Sequence, residues 1–220
     1  YENILLKHGK SVLNSRSEAD ISAKLGNHTF KVPVVLSNMP AVQSWDILRQ
    51  FDANEWFYIY HRLNGPDDVF RFAQSANEEF NVTSISVGIK PEWVEMVKDL
   101  AADKVKVDYF TVDVALSYNA NILPVLRQIK RSYPDAYVIV GNGCTEEWAS
   151  WLLSTRLCNC IKVGIGVSKA CQTRQFTGFG SSTISSVEDC SKSVEKWNHY
   201  KRPDTKFSLM SDGGITVNKD

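Results

Sequence analysis

The chain has 220 residues, 43% of them apolar and 23% charged, which suffices for one domain with a substantial core. Its 25 basic and 25 acidic residues cancel, so no footprint for nucleic acid is expected, although a local patch can still hold an anionic ligand. The longest apolar runs, such as Val32-Pro33-Val34-Val35-Leu36, are too short to span a bilayer, and residues 1–7 do not read as a secretory signal. A cytoplasmic protein without a membrane partner is expected, and Tyr1 in place of Met suggests a trimmed chain.

In chain order, β-rich runs alternate with helical segments from about residue 30 onward. The candidate strands are residues 32–36, 56–60, 83–87, 109–114, 136–140, 160–163 and 207–210. Several are near-continuous Val/Ile runs, as expected of parallel strands covered on both faces. Between them, Pro91 suits the first turn of a helix, and Thr145 is an N-cap candidate followed by Glu146 and Glu147. Residues 195–206 are polar and read as a helix end and connecting loop. Strands alternating with helices predict a parallel α/β fold.

Polar and glycine residues cluster after the strand ends: Ser37-Asn38, Gly88, Asp113, Gly141-Asn142, Gly164–Gly166 and Ser211-Asp212-Gly213-Gly214. A (β/α)8 barrel assembles its site from many strand ends, whereas a doubly wound sheet concentrates it at one switch point. The distribution favours a (β/α)8 TIM barrel. With seven strands before Asp220, residues 1–220 are expected to form a single barrel domain lacking its C-terminal strand and helix.

The five cysteines, Cys144, Cys158, Cys160, Cys171 and Cys190, are odd in number and contain no CxxC pair. Reduced, mostly buried thiols are expected, with Cys158 and Cys160 as packing residues. Cys171 has a different context. It follows the strand and glycine turn Lys162-Val163-Gly164-Ile165-Gly166-Val167-Ser168-Lys169-Ala170 and precedes Gln172-Thr173-Arg174. A thiol that attacks an electrophile near neutral pH needs nearby cations or backbone N–H groups to favour the thiolate. Lys169 and Arg174 can supply that field, and the Thr173 hydroxyl can transfer protons.

This loop and the following Thr177-Gly178-Phe179-Gly180 resemble the cysteine loop of the IMP dehydrogenase and GMP reductase family. Further matches run in family order: Leu13-Asn14-Ser15-Arg16-Ser17-Glu18, Ser37-Asn38-Met39, Tyr58-Ile59-Tyr60-His61-Arg62, Ser84–Gly88, Asp113-Val114-Ala115, Gly141-Asn142 and Ser211–Ile215. The short connection between the second and third candidate strands leaves no room for the regulatory insertion of typical IMP dehydrogenases, and so favours the GMP reductase branch.

The resemblance implies NADPH-dependent reductive deamination of GMP to IMP through a covalent thioimidate on Cys171, with Thr173 assisting proton transfer. It places Ser15, Arg16, His61, Asp113, Val114, Ala115, Ile165 and Gly166 on the NADPH side, with Arg16 suited to a 2′-phosphate. It places Ser168, Lys169, Asp212, Gly213 and Gly214 on the nucleotide: Asp212 at the ribose hydroxyls, the two glycines at the phosphate. A monovalent cation, K+, is implied at Gly166, Ser168 and Cys171, and a homotetramer is the expected assembly.

Three departures accompany these matches. Val167-Ser168 stand where the family has Pro-Gly, and Leu116-Ser117 where it has a polar residue and glycine. A downstream catalytic glutamate and the rest of the phosphate loop would lie beyond Asp220. Two other readings stay open: a non-catalytic nucleotide-binding homologue, and an IMP dehydrogenase lacking its regulatory domain. Bland roles also stay open: Asp113 as a helix cap, His61 as a structural loop histidine, 211–214 as an ordinary turn, and Lys169 as a solvated side chain.

Overall fold

The computed structural model describes residues 9–167, 173–200 and 206–214. It opens with a 3-10 turn at Arg16–Glu18 and a short antiparallel hairpin, β1 (Ala23–Leu25) and β2 (His28–Phe30), turned through Gly26-Asn27. Parallel strands and helices then alternate: β3 (Val35–Leu36), α1 (Trp45–Ala53), β4 (Phe57–Tyr58), α2 (Pro66–Glu79), β5 (Ser84–Val87), α3 (Pro91–Ala102) and β6 (Tyr109–Asp113). The series continues with α4 (Leu123–Ser132), β7 (Tyr137–Gly143), α5 (Glu146–Ser154), β8 (Cys160–Val163), α6 (Thr173–Thr177), α7 (Thr183–Tyr200) and β9 (Ser208–Ser211).

Strands β5 to β9 form one parallel sheet in chain order, and β3 pairs with β4 in the same sense. A bridge at Tyr60–Ile85, with Tyr60 N–H donating to Ser84 O (3.0 Å) and Ser86 N–H to Tyr60 O (2.8 Å), joins the two groups. Seven parallel strands in sequential order, each followed by a helical segment up to β8, are the arrangement of a (β/α) barrel. All seven candidate strands are found. Residues 160–163 match β8 residue for residue, and β7 extends three residues beyond its expected end, to Gly143. The hairpin β1–β2 was not anticipated.

Helix starts follow from the sequence. Pro91 opens α3, and Thr145 Oγ1 accepts from Trp148 N–H (3.2 Å) at the head of α5. Ser44 Oγ caps α1 in the same way, through Ile47 N–H. The strands bury both faces. Ile85, Val87, Phe110, Val112, Val138, Val140, Ile161 and Val163 pack outward against residues such as Val97, Leu126 and Trp148 of the helices. The opposite face turns inward, and its lower end is apolar: Phe57, Ile59, Tyr109, Ile139 and Cys160, with Phe30 from the hairpin. The hairpin closes this floor, with the Tyr109 hydroxyl donating to Leu25 O (2.6 Å) and standing 2.9 Å from His28 Nδ1.

Candidate functional site

Side chains alternate along a strand, so the inward series on β6 runs Tyr109, Thr111, Asp113, and that on β8 runs Cys160, Lys162. Both series leave the apolar floor and end in charge at the C-terminal rim, the end where (β/α) barrels carry their sites. Asp212, just past β9, joins them there through its N–H on Val163 O (2.8 Å).

At this rim Lys162 is the centre of an ion cluster. Its Nζ lies 3.1 Å from Asp113 Oδ1, 2.8 Å from Asp212 Oδ2 and 2.7 Å from Asn142 Oδ1. The side chain is 4% exposed. Burial alone would lower the pKa of the ammonium, but the two carboxylates outweigh it and hold the group above its ordinary value. Arg62 approaches Asp113 from the other side, its Nε donating to the Asp113 carbonyl (2.6 Å) and lying 3.5 Å from Oδ2. Asn142 ties the group to the next turn, donating to Gly164 O (2.7 Å) and to Asp212 Oδ2. Charges thus alternate Arg62, Asp113, Lys162, Asp212 across the mouth.

Three glycine positions are demanded by this geometry. A Cβ on Gly141 would stand 2.7 Å from Lys162 Cβ, so only a bare backbone lets the lysine pass. Gly213 and Gly214 both have positive φ, 79° and 76°, a conformation that L side chains resist.

The structure gathers the sequence candidates unevenly. Asp113 and Asp212 meet through Lys162, and Gly213-Gly214 follow directly. Val114 flanks Asp113, trading hydrogen bonds with β7: Val114 N–H to Gly141 O (2.9 Å) and Asn142 N–H to Val114 O (2.7 Å). Ala115 is exposed beside it, as are Leu116 and Tyr118. Ile165 is buried, its carbonyl accepting from Ser181 N–H (3.3 Å), while Gly166 lies against Arg174. Thr173 opens α6. Ser168, Lys169 and Cys171 lie outside the described residues, and with them most of the expected K+ site. Ser15 and Arg16 are exposed in the N-terminal 3-10 turn, and no hydrogen bond or ion pair among the described residues links them to the mouth. His61 is buried at the end of β4, stacked on Tyr60, and its Nδ1 has no partner among the described residues. Burial lowers its pKa, against an opposing pull from Asp68.

Sequence reasoning missed Lys162, Arg62 and Asn142 as site residues. It also treated Ser117 as a bare departure, whereas its N–H and hydroxyl both bond Asn142 O at 2.9 Å, anchoring the cluster. The cysteines Cys158, Cys160 and Cys190 are buried and Cys144 is half-buried, and burial raises all four thiols, to about 12 for Cys158 and Cys190. A cleft of about 1040 Å³ lies at the opposite, N-terminal end, lined by Lys24, Lys130 and Tyr137 among others, and contains none of the candidates.

Comparison with known proteins fits this architecture. GMP reductases from Oceanobacillus iheyensis, Bacillus subtilis and Helicobacter pylori (strain G27) are 37%, 35% and 34% identical to it over the whole chain. The chain spans 64% of the length of each. A crystal structure of inosine 5′-monophosphate dehydrogenase from Legionella pneumophila superposes with a TM-score of 0.80 at 23% identity, covering 98% of this chain and 62% of that one, which supports the barrel. Residues 67–220 match the family described as IMP dehydrogenase / GMP reductase domain, and with that match the chain belongs to the IMP dehydrogenase/GMP reductase family.

Proposed function

We propose that the protein is an NADPH-dependent GMP reductase acting through Cys171. The observation that carries this reading is the Asp113–Lys162–Asp212 cluster at the barrel mouth, on the strand that leads into the cysteine loop. Its two carboxylates suit two neighbouring ligands. Asp212, followed by the left-handed pair Gly213-Gly214, would accept hydrogen bonds from the ribose hydroxyls, with the glycine N–H groups toward the phosphate. Asp113 would accept from the amide of a nicotinamide. These residues fit a nicotinamide nucleotide, and Ser15, Arg16 and His61 are assigned to it by family resemblance.

The Cys171 thiolate would add to purine C2 of GMP. The C2–N bond breaks, and ammonia departs carrying a proton delivered through the Thr173 hydroxyl, leaving a thioimidate on sulfur. NADPH, when bound, supplies the hydride that takes the place of the amino group at C2. The thiolate is then expelled, so that GMP, NADPH and one proton give IMP, NADP+ and ammonia. The described thiols are all held in the neutral form by burial, which leaves Cys171 as the sulfur with a sequence context for reactivity.

Incubating the purified protein with GMP and NADPH, and following loss of the reduced cofactor, tests the reading. GMP-dependent oxidation that vanishes in Cys171→Ser while GMP still binds is expected. Binding without turnover in wild type would select the non-catalytic homologue, and NAD-dependent turnover of IMP would select a dehydrogenase.

A further inference from the structure

The reaction outlined above uses Asp113 and Asp212 but leaves the cation between them without a role. Lys162 is buried, and its ammonium donates to Asp212 and Asn142 and pairs with Asp113 at 3.1 Å. Stability is a poor explanation for such a group, because a buried ion pair replaced by apolar side chains of similar volume is commonly neutral or better. Geometry is a sufficient one. Two carboxylates drawn to one point repel each other unless a cation stands between them. With Oδ2 of Asp212 taken by Lys162 and Asn142, its Oδ1 accepts no hydrogen bond among the described residues and is the oxygen left for a ligand. Asp113 is fixed just as firmly, between Lys162 and Arg62.

We propose that Lys162 is a positioning residue that locks the substrate-side carboxylate of Asp212 to the cofactor-side carboxylate of Asp113, so that the two ligands bind as a coupled pair. This rests on the assignment of those carboxylates to GMP and NADPH made above. A ligand that draws on one carboxylate changes the pull of the shared ammonium on the other, and such coupling is reciprocal.

Calorimetric titration of GMP, and separately of NADP+, into wild type, Lys162→Met and Lys162→Arg reads both sites without turnover. Lys162→Met is expected to weaken both ligands at least tenfold, and Lys162→Arg, which keeps a cation at this point, to recover most of that loss. Steady-state kinetics of Lys162→Met should show both KM values raised with kcat per folded molecule changed less. A merely structural role would instead lower the folded fraction and leave both affinities within twofold, and that result overturns the proposal. If Lys162→Met does not fold, Asp113→Asn replaces it: GMP affinity should fall at least threefold although the changed residue faces the cofactor, and unchanged affinity is the overturning result. A wild type that binds both ligands without oxidising NADPH ends the reductase reading, while the affinity differences still decide the role of Lys162. A wild type that binds neither ligand ends both.

Discussion

The two ends of the barrel interior are made of opposite chemistry on the same strands. At the floor, Phe30 and Tyr109 each pack against Phe57 with ring centroids 4.9 Å apart, and the hairpin β1–β2 seals them from water. Two inward steps further along β6, the residue is Asp113, and at the same rim β8 offers Lys162. Aromatic burial stabilises the floor, at roughly 25 cal/mol for each Å² of apolar surface removed from water. The mouth gains little from its ions, because desolvating four charged groups offsets most of their attraction. The floor holds the strands together, and the mouth aims what they carry.

Substitutions at either end can break or sharpen that division. Phe57→Ala at the floor should cost the most, about 3 to 5 kcal/mol for a truncated buried aromatic ring, read as a shift in denaturation midpoint. GMP affinity of the folded fraction should stay unchanged, and a tenfold loss would mean that the floor also shapes the site. Gly141→Ala brings a methyl group against Lys162 and should cost about 1 to 3 kcal/mol. Here ligand affinity should fall with stability, so a destabilised variant that binds GMP normally would contradict the division from the other side. Tyr109→Phe removes the hydroxyl that holds the hairpin and should cost about 1 to 2 kcal/mol in chemical denaturation, with turnover intact.

The smallest effect concerns pH. His61 is buried with its pKa lowered, so the unfolded chain binds the proton more readily than the folded one. Its contribution to stability is therefore present above the ordinary imidazole value of about 6.5 and is lost as pH falls below it toward the lowered folded value. In His61→Phe the stability profile between pH 7.5 and about 5 should flatten relative to wild type. An unchanged slope would assign the acid sensitivity to other groups.

Much of this division is legible in the amino-acid order, and the exceptions have physical causes. The parallel strands announce themselves because both faces are buried, giving unbroken Val/Ile runs. The same property hides their phase. In Cys160-Ile161-Lys162-Val163 no polar alternation says which side faces the lumen, so Lys162 passes as the start of a glycine loop rather than an inward charge. A lysine inside an otherwise buried strand is nevertheless a signal, since lysine is rarely buried without a partner. Asp113 and Asp212 are readable because strand ends are where barrels expose function. Asn142 shares that strand-end position but nothing in the sequence gives it a partner, and Arg62 carries no such mark; both matter through residues distant in sequence. The hairpin escapes because its strands have three residues each, too short for periodicity, although Gly26-Asn27 is a hairpin turn pair.

The order in which the mouth's charges leave the ribosome has a consequence of its own. Arg62 and Asp113 can meet once β4 to β6 are in place, but Lys162 must wait for Asp212, which follows β9 and the long helix α7. A nascent chain that has folded through β8 therefore carries a cation in its interior with half its counter-charge missing. The charge of the cluster is thus balanced only when β9 and the turn after it are in place, which ties the last described strand to Asp113 of β6 through one side chain.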